Sequence, residues 1–324
     1  MQSSQQHIIM NIVHWLQAGK PVWLCTITRT WGSSPRPVGA MMACTLDGEL
    51  AGSISGGCIE EDFLQQLRDG SLKQDYDAQG GKPMLVKYGI SAEEAARLRL
   101  PCGGQLHVLL EYIQPLASNL EVFVSLQNAL DNHRRVSRVL ELSSGAISWR
   151  DSAADEAVLI SDEQLIHGLS PQYRLLLLGA GDVARYVAEM AIALDYEVTL
   201  CDPRPAYLEN WHVDGVQLSA ELPDDLVRER FSNPYSGIIA LAHDPRVDDM
   251  ALMEALQTDA FYVGAMGSVK TSANRRLRLP ELGLSTEQIE RLHAPIGFAI
   301  GSKTPAEIAI SVMAEVTAVR HGCR

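Results

Sequence analysis

The stretch Arg174-Leu175-Leu176-Leu177-Leu178-Gly179-Ala180-Gly181-Asp182-Val183-Ala184 narrows the fold more than any other part of the chain. An apolar run enters a G-x-G-x-x-A turn, and helical spacing follows over 185–194. A strand without polar alternation is buried on both faces, as strands of parallel sheets are. The glycines allow a sharp turn and let an anion approach the start of the helix. A second strand, Glu197 to Cys201, ends at Asp202, about twenty residues past the first glycine, where a ribose-binding acid belongs. Strand, turn, helix, strand and acid in that order predict a Rossmann βαβ unit in a doubly wound α/β sheet. Gly179, Gly181 and Asp202 are its candidate cofactor-binding residues. Asp202 favours a free 2′-hydroxyl over a 2′-phosphate, and Arg204 blurs that preference.

Downstream, an apolar strand over 236–242 runs into His243 and Asp244. The C-terminal end of such a strand is the edge where open α/β sheets bind ligands. His243 and Asp244 are therefore candidates, against the alternative of a helix-capping Asp244 and a bystander His243. Another strand, 261–264, precedes Gly267 and Ser268, a further candidate. The cations Lys270, Arg275, Arg276 and Arg278 then either complement a phosphate or form a solvated helix face. A stiff loop over 294–302 leads to a last helix with Pro305 early and Glu307 in its first turn.

At 324 residues two domains are the natural expectation. The boundary falls in the acidic, poorly patterned 151–170 stretch, expected to be irregular, giving domains of 1–165 and 166–324. In the front half, a helix over 8–16 and strands over 21–30, 40–45 and 50–54 are expected. Asp47-Gly48 makes the last two a hairpin. That hairpin delivers Ser53-Ile54-Ser55-Gly56-Gly57-Cys58 to the start of a helix, beside the Pro- and Gly-rich loop that carries Arg36. Arg36, held in a rigid loop, suits bidentate contact with a phosphate or carboxylate; the alternative is a surface Arg in a turn. A strand over 84–88, a helix over 92–98, strand 106–113, helix 116–130 and a hairpin over 135–150 complete this half.

A second thiol, Cys102, stands beside Gly103 and Gly104 just before strand 106–113. Two thiols on glycine-freed turns can approach one soft, sulfur-liking centre. Buried core cysteines or a redox pair are the other readings. None of the six cysteines forms a C-x-x-C pair, so a zinc or thioredoxin-like site is not expected. A net charge of −13 argues against nucleic-acid and anionic-membrane surfaces. The start lacks a basic n-region and no apolar run reaches a membrane span, so a reducing cytoplasm is expected.

These motifs together resemble the XdhC/CoxI family of molybdenum-enzyme accessory proteins. The matching segments are Gly32–Gly39, Ser53–Glu60, Pro101–Gly104, the glycine turn, Ala242–Asp244, Tyr262–Ser268, Pro295–Gly297 and Thr304–Ala309. The resemblance implies an α+β N-terminal domain bearing the cysteines and a C-terminal Rossmann-like domain. It implies a chaperone rather than an enzyme, one that protects the molybdenum cofactor, supports its sulfuration and inserts it into a xanthine dehydrogenase-type molybdoenzyme. The cofactor is a molybdopterin, with a dinucleotide form open. Partners implied are an apo molybdoenzyme of the xanthine dehydrogenase/aldehyde oxidase type and a cysteine desulfurase, with room for a homodimer. Cys58, Cys102, Arg36, Gly56, Gly57, Gly103 and Gly104 become the cofactor candidates of the front half, with Cys58 as the molybdenum contact. Two positions depart from the family pattern: Asp182 stands where a His is usual, and Gly297-Phe298-Ala299-Ile300-Gly301 lacks the carboxylate of a G-L-D-I-G loop. Rival readings are an NAD(P)-dependent oxidoreductase with His243 as acid/base, and a nucleotide-regulated adaptor with inert thiols.

Overall fold

The computed structural model describes residues 4–31, 36–56, 58–89, 105–152, 158–242 and 244–323. The chain divides into two compact units, Met1–Pro171 and Gln172–Arg324.

The first unit opens with a helix, Gln5–Gln17, begun by the Ser4 hydroxyl, which accepts from the His7 N–H at 3.3 Å. Strands β1 (Val22–Trp31), β2 (Met41–Thr45), β3 (Leu50–Gly52), β4 (Met84–Tyr88) and β5 (Gln105–Ile113) form an antiparallel sheet in the order β3-β2-β1-β5-β4. Side chains alternate along β1, so its two faces serve different cores. Trp23, Cys25 and Ile27 face helices Cys58–Asp69 and Ser71–Ala78, where Trp23 meets Phe63 and Tyr76 edge-on. Val22 and Leu24 pack with the first helix and with helix Ala117–Asp131.

Within the stretch expected to be irregular, the described residues 158–160 and 164–169 are strands. Hairpin strands β6 (Val136–Glu141) and β7 (Ile147–Asp151) are joined by β8 (Val158–Ile160) and β9 (Gln164–Leu169) in a sheet ordered β7-β6-β9-β8. Six register pairs hold β9 to β6, so a boundary at 165/166 would cut a paired strand, and the units part at 171/172. Along β9, Leu165, His167 and Leu169 are buried. Burial, with Arg138 close by, pushes the His167 imidazole down to about 3. Arg138 is itself buried and forks onto Glu111 at 2.6 and 2.8 Å, tying the two sheets together.

The second unit is a parallel sheet of β10 (Arg174–Leu178), β11 (Glu197–Cys201), β12 (Val216–Ser219), β13 (Ser236–Ala240), β14 (Tyr262–Ala265) and β15 (Leu292–His293), ordered β12-β11-β10-β13-β14-β15. Leu175 and Leu177 enter one core, Leu176 and Leu178 the other, which explains the unbroken leucine run. Helices cover both faces. The chain winds from β10 to β11 on one side and returns to β13 on the other, so a switch point lies between β10 and β13. The last helix, Pro305–Arg320, starts with a full capping box of Thr304 and Glu307. Its buried Glu315 accepts from the Tyr262 hydroxyl and the Gly297 N–H, both at 2.7 Å. Among the described residues no helix is long and apolar enough to cross a membrane.

Candidate functional site

In the first unit the strand register gathers the candidate segments. Trp31, the last residue of β1, pairs with Gln105, the first of β5. Thr26 pairs with Met41, near the start of β2, and Met42 pairs with Gly52, the end of β3. The strand ends leading to the Arg36 loop, to the Gly56–Cys58 turn and back from 101–104 therefore share one end of the sheet. Arg36 is half-buried there, and Trp31 stays 44% exposed with its ring 4.5 Å from His107. Strand β3 is shorter than the expected 50–54 stretch, because a tight turn begins at Ser53.

The organiser of that turn is Glu60, which in the sequence is only one of three acids in a first helical turn. Its carboxylate accepts from the Ser53 hydroxyl (2.6 Å) and from the N–H groups of Ile54 (2.9 Å), Ser55 (2.8 Å) and Gly56 (3.1 Å). The Ser55 hydroxyl also donates to it, and accepts from the Ile59 N–H at 3.0 Å. Burial pushes the Glu60 carboxyl up, but the bonds from Ser53 and Ser55 prevail and hold it at about 2. The chain's own carboxylate thus fills the ring of donors that Gly56, with φ at 86°, opens. What the turn presents is the backbone of Cys58, first residue of its helix. A serine pair followed within a turn by a helical Glu is the signal that would have found this. Gly57, Cys102, Gly103, Gly104 and the expected 92–98 helix lie outside the described residues. Of the other cysteines, Cys25, Cys44 and Cys201 are free and buried, and Cys323 is free and exposed. Among the described residues no group of three or more His, Cys, Asp or Glu is placed to hold a metal ion.

In the second unit the two glycines differ. Gly179 has φ at 97°, and a Cβ there would come within 2.5 Å of the Ala242 Cα, so only glycine lets β10 and β13 close up at their ends. Gly181 starts helix Asp182–Ala193, and a Cβ on it would meet nothing within 4 Å. This is the open approach a ligand needs. Asp202, expected to take a ribose, is fully buried and occupied. It accepts from the N–H groups of Ala180 and Arg204, both at 3.1 Å, and from the Arg204 guanidinium at 2.8 and 2.9 Å. Burial pushes its carboxyl up, yet the Arg204 and Ala180 bonds leave it below its ordinary value. Arg204 lies over the Tyr207 ring at 3.9 Å. Asp202 pins the glycine turn to the end of β11. The Asp244 carbonyl accepts the first bonds at the start of the next helix, from Val247 and Asp248 at 3.0 and 2.8 Å. His243 lies outside the described residues.

Most of the basic run is structural. Arg275 is buried against Asp249 at 2.8 Å and Asp248 at 3.4 Å, Arg278 binds Asp249 at 3.1 Å, and Arg276 donates to the Ile289 and Leu292 carbonyls at 2.9 and 2.6 Å. Lys270 stays exposed. Burial lifts the Asp248 carboxyl to about 6 against the pull of Arg275. Ser268 caps helix Val269–Arg278, accepting from the Thr271 N–H at 3.0 Å. Beside it a cavity of about 430 Å³ opens, walled by Val183, Met266, Gly267, Thr271, Arg275 and Ile308 with Ser268.

Residues 15–89 match the XdhC and CoxI family, and residues 175–316 match the XdhC Rossmann domain. The molybdenum cofactor insertion chaperone PaoD of Escherichia coli is 26% identical over 97% of this chain and 88% of its own. A protein of Bacillus subtilis described as a probable xanthine dehydrogenase subunit is 25% identical over 92% of each. A crystal structure of a xanthine dehydrogenase from Bacillus halodurans shares the fold, with a TM-score of 0.73 at 23% identity over 98% of this chain and 96% of that one. The two family matches lie in order, one in each unit and together over more than half of the sequence, and the chain belongs to the XdhC and CoxI family.

Proposed function

We propose that the protein is a molybdenum cofactor chaperone. In this reading it binds and protects the cofactor, supports its sulfuration with a cysteine desulfurase, and delivers it to an apoenzyme of the xanthine dehydrogenase type. One observation carries the reading: the strand ends leading to the Arg36 loop, the Cys58 turn and the 101–104 segment share one end of a sheet. The chain's likeness to PaoD along nearly its whole length supports it. The cofactor brings a soft, sulfur-ligated metal and a pterin phosphate. Thiols of Cys58 and Cys102 suit the first, and the Arg36 guanidinium suits an anion. The donors of the Ser53–Gly56 turn are taken by Glu60, so this turn serves to fix the start of the Cys58 helix rather than to cradle the phosphate.

The test is client activation. Protein made in cells that synthesise the cofactor is mixed with an apo molybdoenzyme, and the enzyme's activity is followed. The wild type is expected to activate it, and Cys58→Ala to lose activation while keeping its far-UV circular dichroism. Activation that survives in both Cys58→Ala and Cys102→Ala returns the thiols to an inert role. Turnover of a substrate with NAD, without any client, makes the protein an oxidoreductase.

A further inference from the structure

We infer that the cavity beside the Met266–Ser268 turn binds a phosphomonoester carried on an apolar or flat body, and that this cavity, not Asp202, anchors the ligand of the second unit. The inference deepens the cofactor reading and rests on it for the ligand's identity; the phosphate chemistry is read separately.

The two sides of the glycine turn differ in what they leave open. On the β11 side the carboxylate that would hold a ribose is saturated by Ala180 and Arg204. On the β14 side lies the cavity, and its donors suit an anion. Arg275 is 2% exposed and paired with Asp248 and Asp249, so what it brings to the wall is fixed N–H donors rather than a free charge. A guanidinium has five N–H donors. The Asp249 bond at 2.8 Å is firm, whereas those to Asp248 and the Met266 carbonyl are both 3.4 Å, long for charge-assisted bonds. Donor capacity remains for an oxyanion. The Ser268 and Thr271 hydroxyls, 2.8 Å apart, stand at the rim. Ser268 satisfies the Thr271 N–H and the Ser272 N–H donates to the Ser268 carbonyl, so the first-turn N–H groups of Val269 and Lys270 have no partner within the helix. Behind this wall the Ser272 hydroxyl, in a residue 2% exposed, has no hydrogen-bond partner among the described residues. It lies 3.6 Å from where a Cβ on Gly267 would sit. The lining is also apolar in part: Val183, Met266 and Ile308. An anionic end and an apolar body are therefore both accommodated.

The full-length chain is titrated calorimetrically with inorganic phosphate, phenyl phosphate and NAD⁺, as wild type and as Thr271→Glu. The substitution completes a Ser-x-x-Glu capping box with Ser268, so the helix start is kept, while a fixed carboxylate takes the anion's place. Phenyl phosphate is expected to bind the wild type more tightly than inorganic phosphate. Thr271→Glu is expected to weaken both by roughly 10- to 100-fold, the loss of a charge-assisted bond. Should the variant not fold, Ile308→Trp, which fills the apolar side, is expected to weaken phenyl phosphate and spare inorganic phosphate. No phenyl phosphate binding at about 10 mM, unchanged binding in folded Thr271→Glu, or NAD⁺ binding that it does not weaken overturns the assignment. A protein that binds phenyl phosphate but never activates a client overturns only the cofactor reading.

Discussion

Glu60→Gln is the perturbation whose size the structure sets most closely. The wild-type carboxylate collects five donors: the Ser53 and Ser55 hydroxyls and the N–H groups of Ile54, Ser55 and Gly56. Glutamine keeps the shape but carries an NH2 group where Ser55 donates, and it removes the charge that strengthens every bond. Bonds to a charged acceptor contribute more than neutral ones, so the cost at neutral pH is about 2–3 kcal/mol. The pH dependence has a definite sign. The carboxyl titrates at about 2 in the folded chain against an ordinary 4.5, so its stabilisation is present above pH 4.5 and lost as pH falls towards 2. The depression corresponds to about 3 kcal/mol at neutral pH. The assay is urea unfolding of both proteins at several pH values, followed by tryptophan fluorescence; Trp15 and Trp23, buried in the first unit, report on it. The difference between wild type and variant is expected to shrink towards zero as the pH approaches 2. Equal stabilities at pH 7, or a gap that ignores pH, would refute the role given to Glu60.

The two turn glycines should separate stability from access. Gly179→Ala, with positive φ and a backbone clash at Ala242, is expected to cost about 3 kcal/mol or more, whereas Gly181→Ala stays within about 1 kcal/mol; thermal unfolding that reverses this order would contradict the turn geometry. Arg138→Ala strands Glu111 in the interior and is expected to cost about 3–5 kcal/mol, most of it recovered in the Arg138→Met, Glu111→Leu double variant. Chemical denaturation of the single and double variants measures this, and additive losses would argue against a coupled pair.

Local signals carried much of this architecture. The leucine run, glycine turn and second strand specify a βαβ unit because each step is governed by neighbouring residues. The Asp47-Gly48 hairpin and the Thr304 and Glu307 helix start are local in the same sense. What sequence spacing does not carry is the partner of a charge. Asp202 stands where a ribose acid belongs, but its state depends on Arg204 folding back over it. The run after Ser268 reads as a cationic patch until Asp248 and Asp249, on another helix, come to meet it. Strand β9 is hidden in the sequence because His167 occupies a core position, and a buried His looks polar in any hydropathy pattern. Helix Ser71–Ala78 is equally hard to read, because only Leu72 and Tyr76 mark its buried side.

The most direct measurement is the cofactor content of the full-length protein, purified from cells that make the molybdenum cofactor. Molybdenum is determined by elemental analysis and pterin by fluorescence after oxidation. A cofactor chaperone should carry both, in matching amounts, as wild type, and markedly less as Cys58→Ala at equal folded protein. Wild-type protein that leaves such cells with neither molybdenum nor pterin contradicts the proposed role.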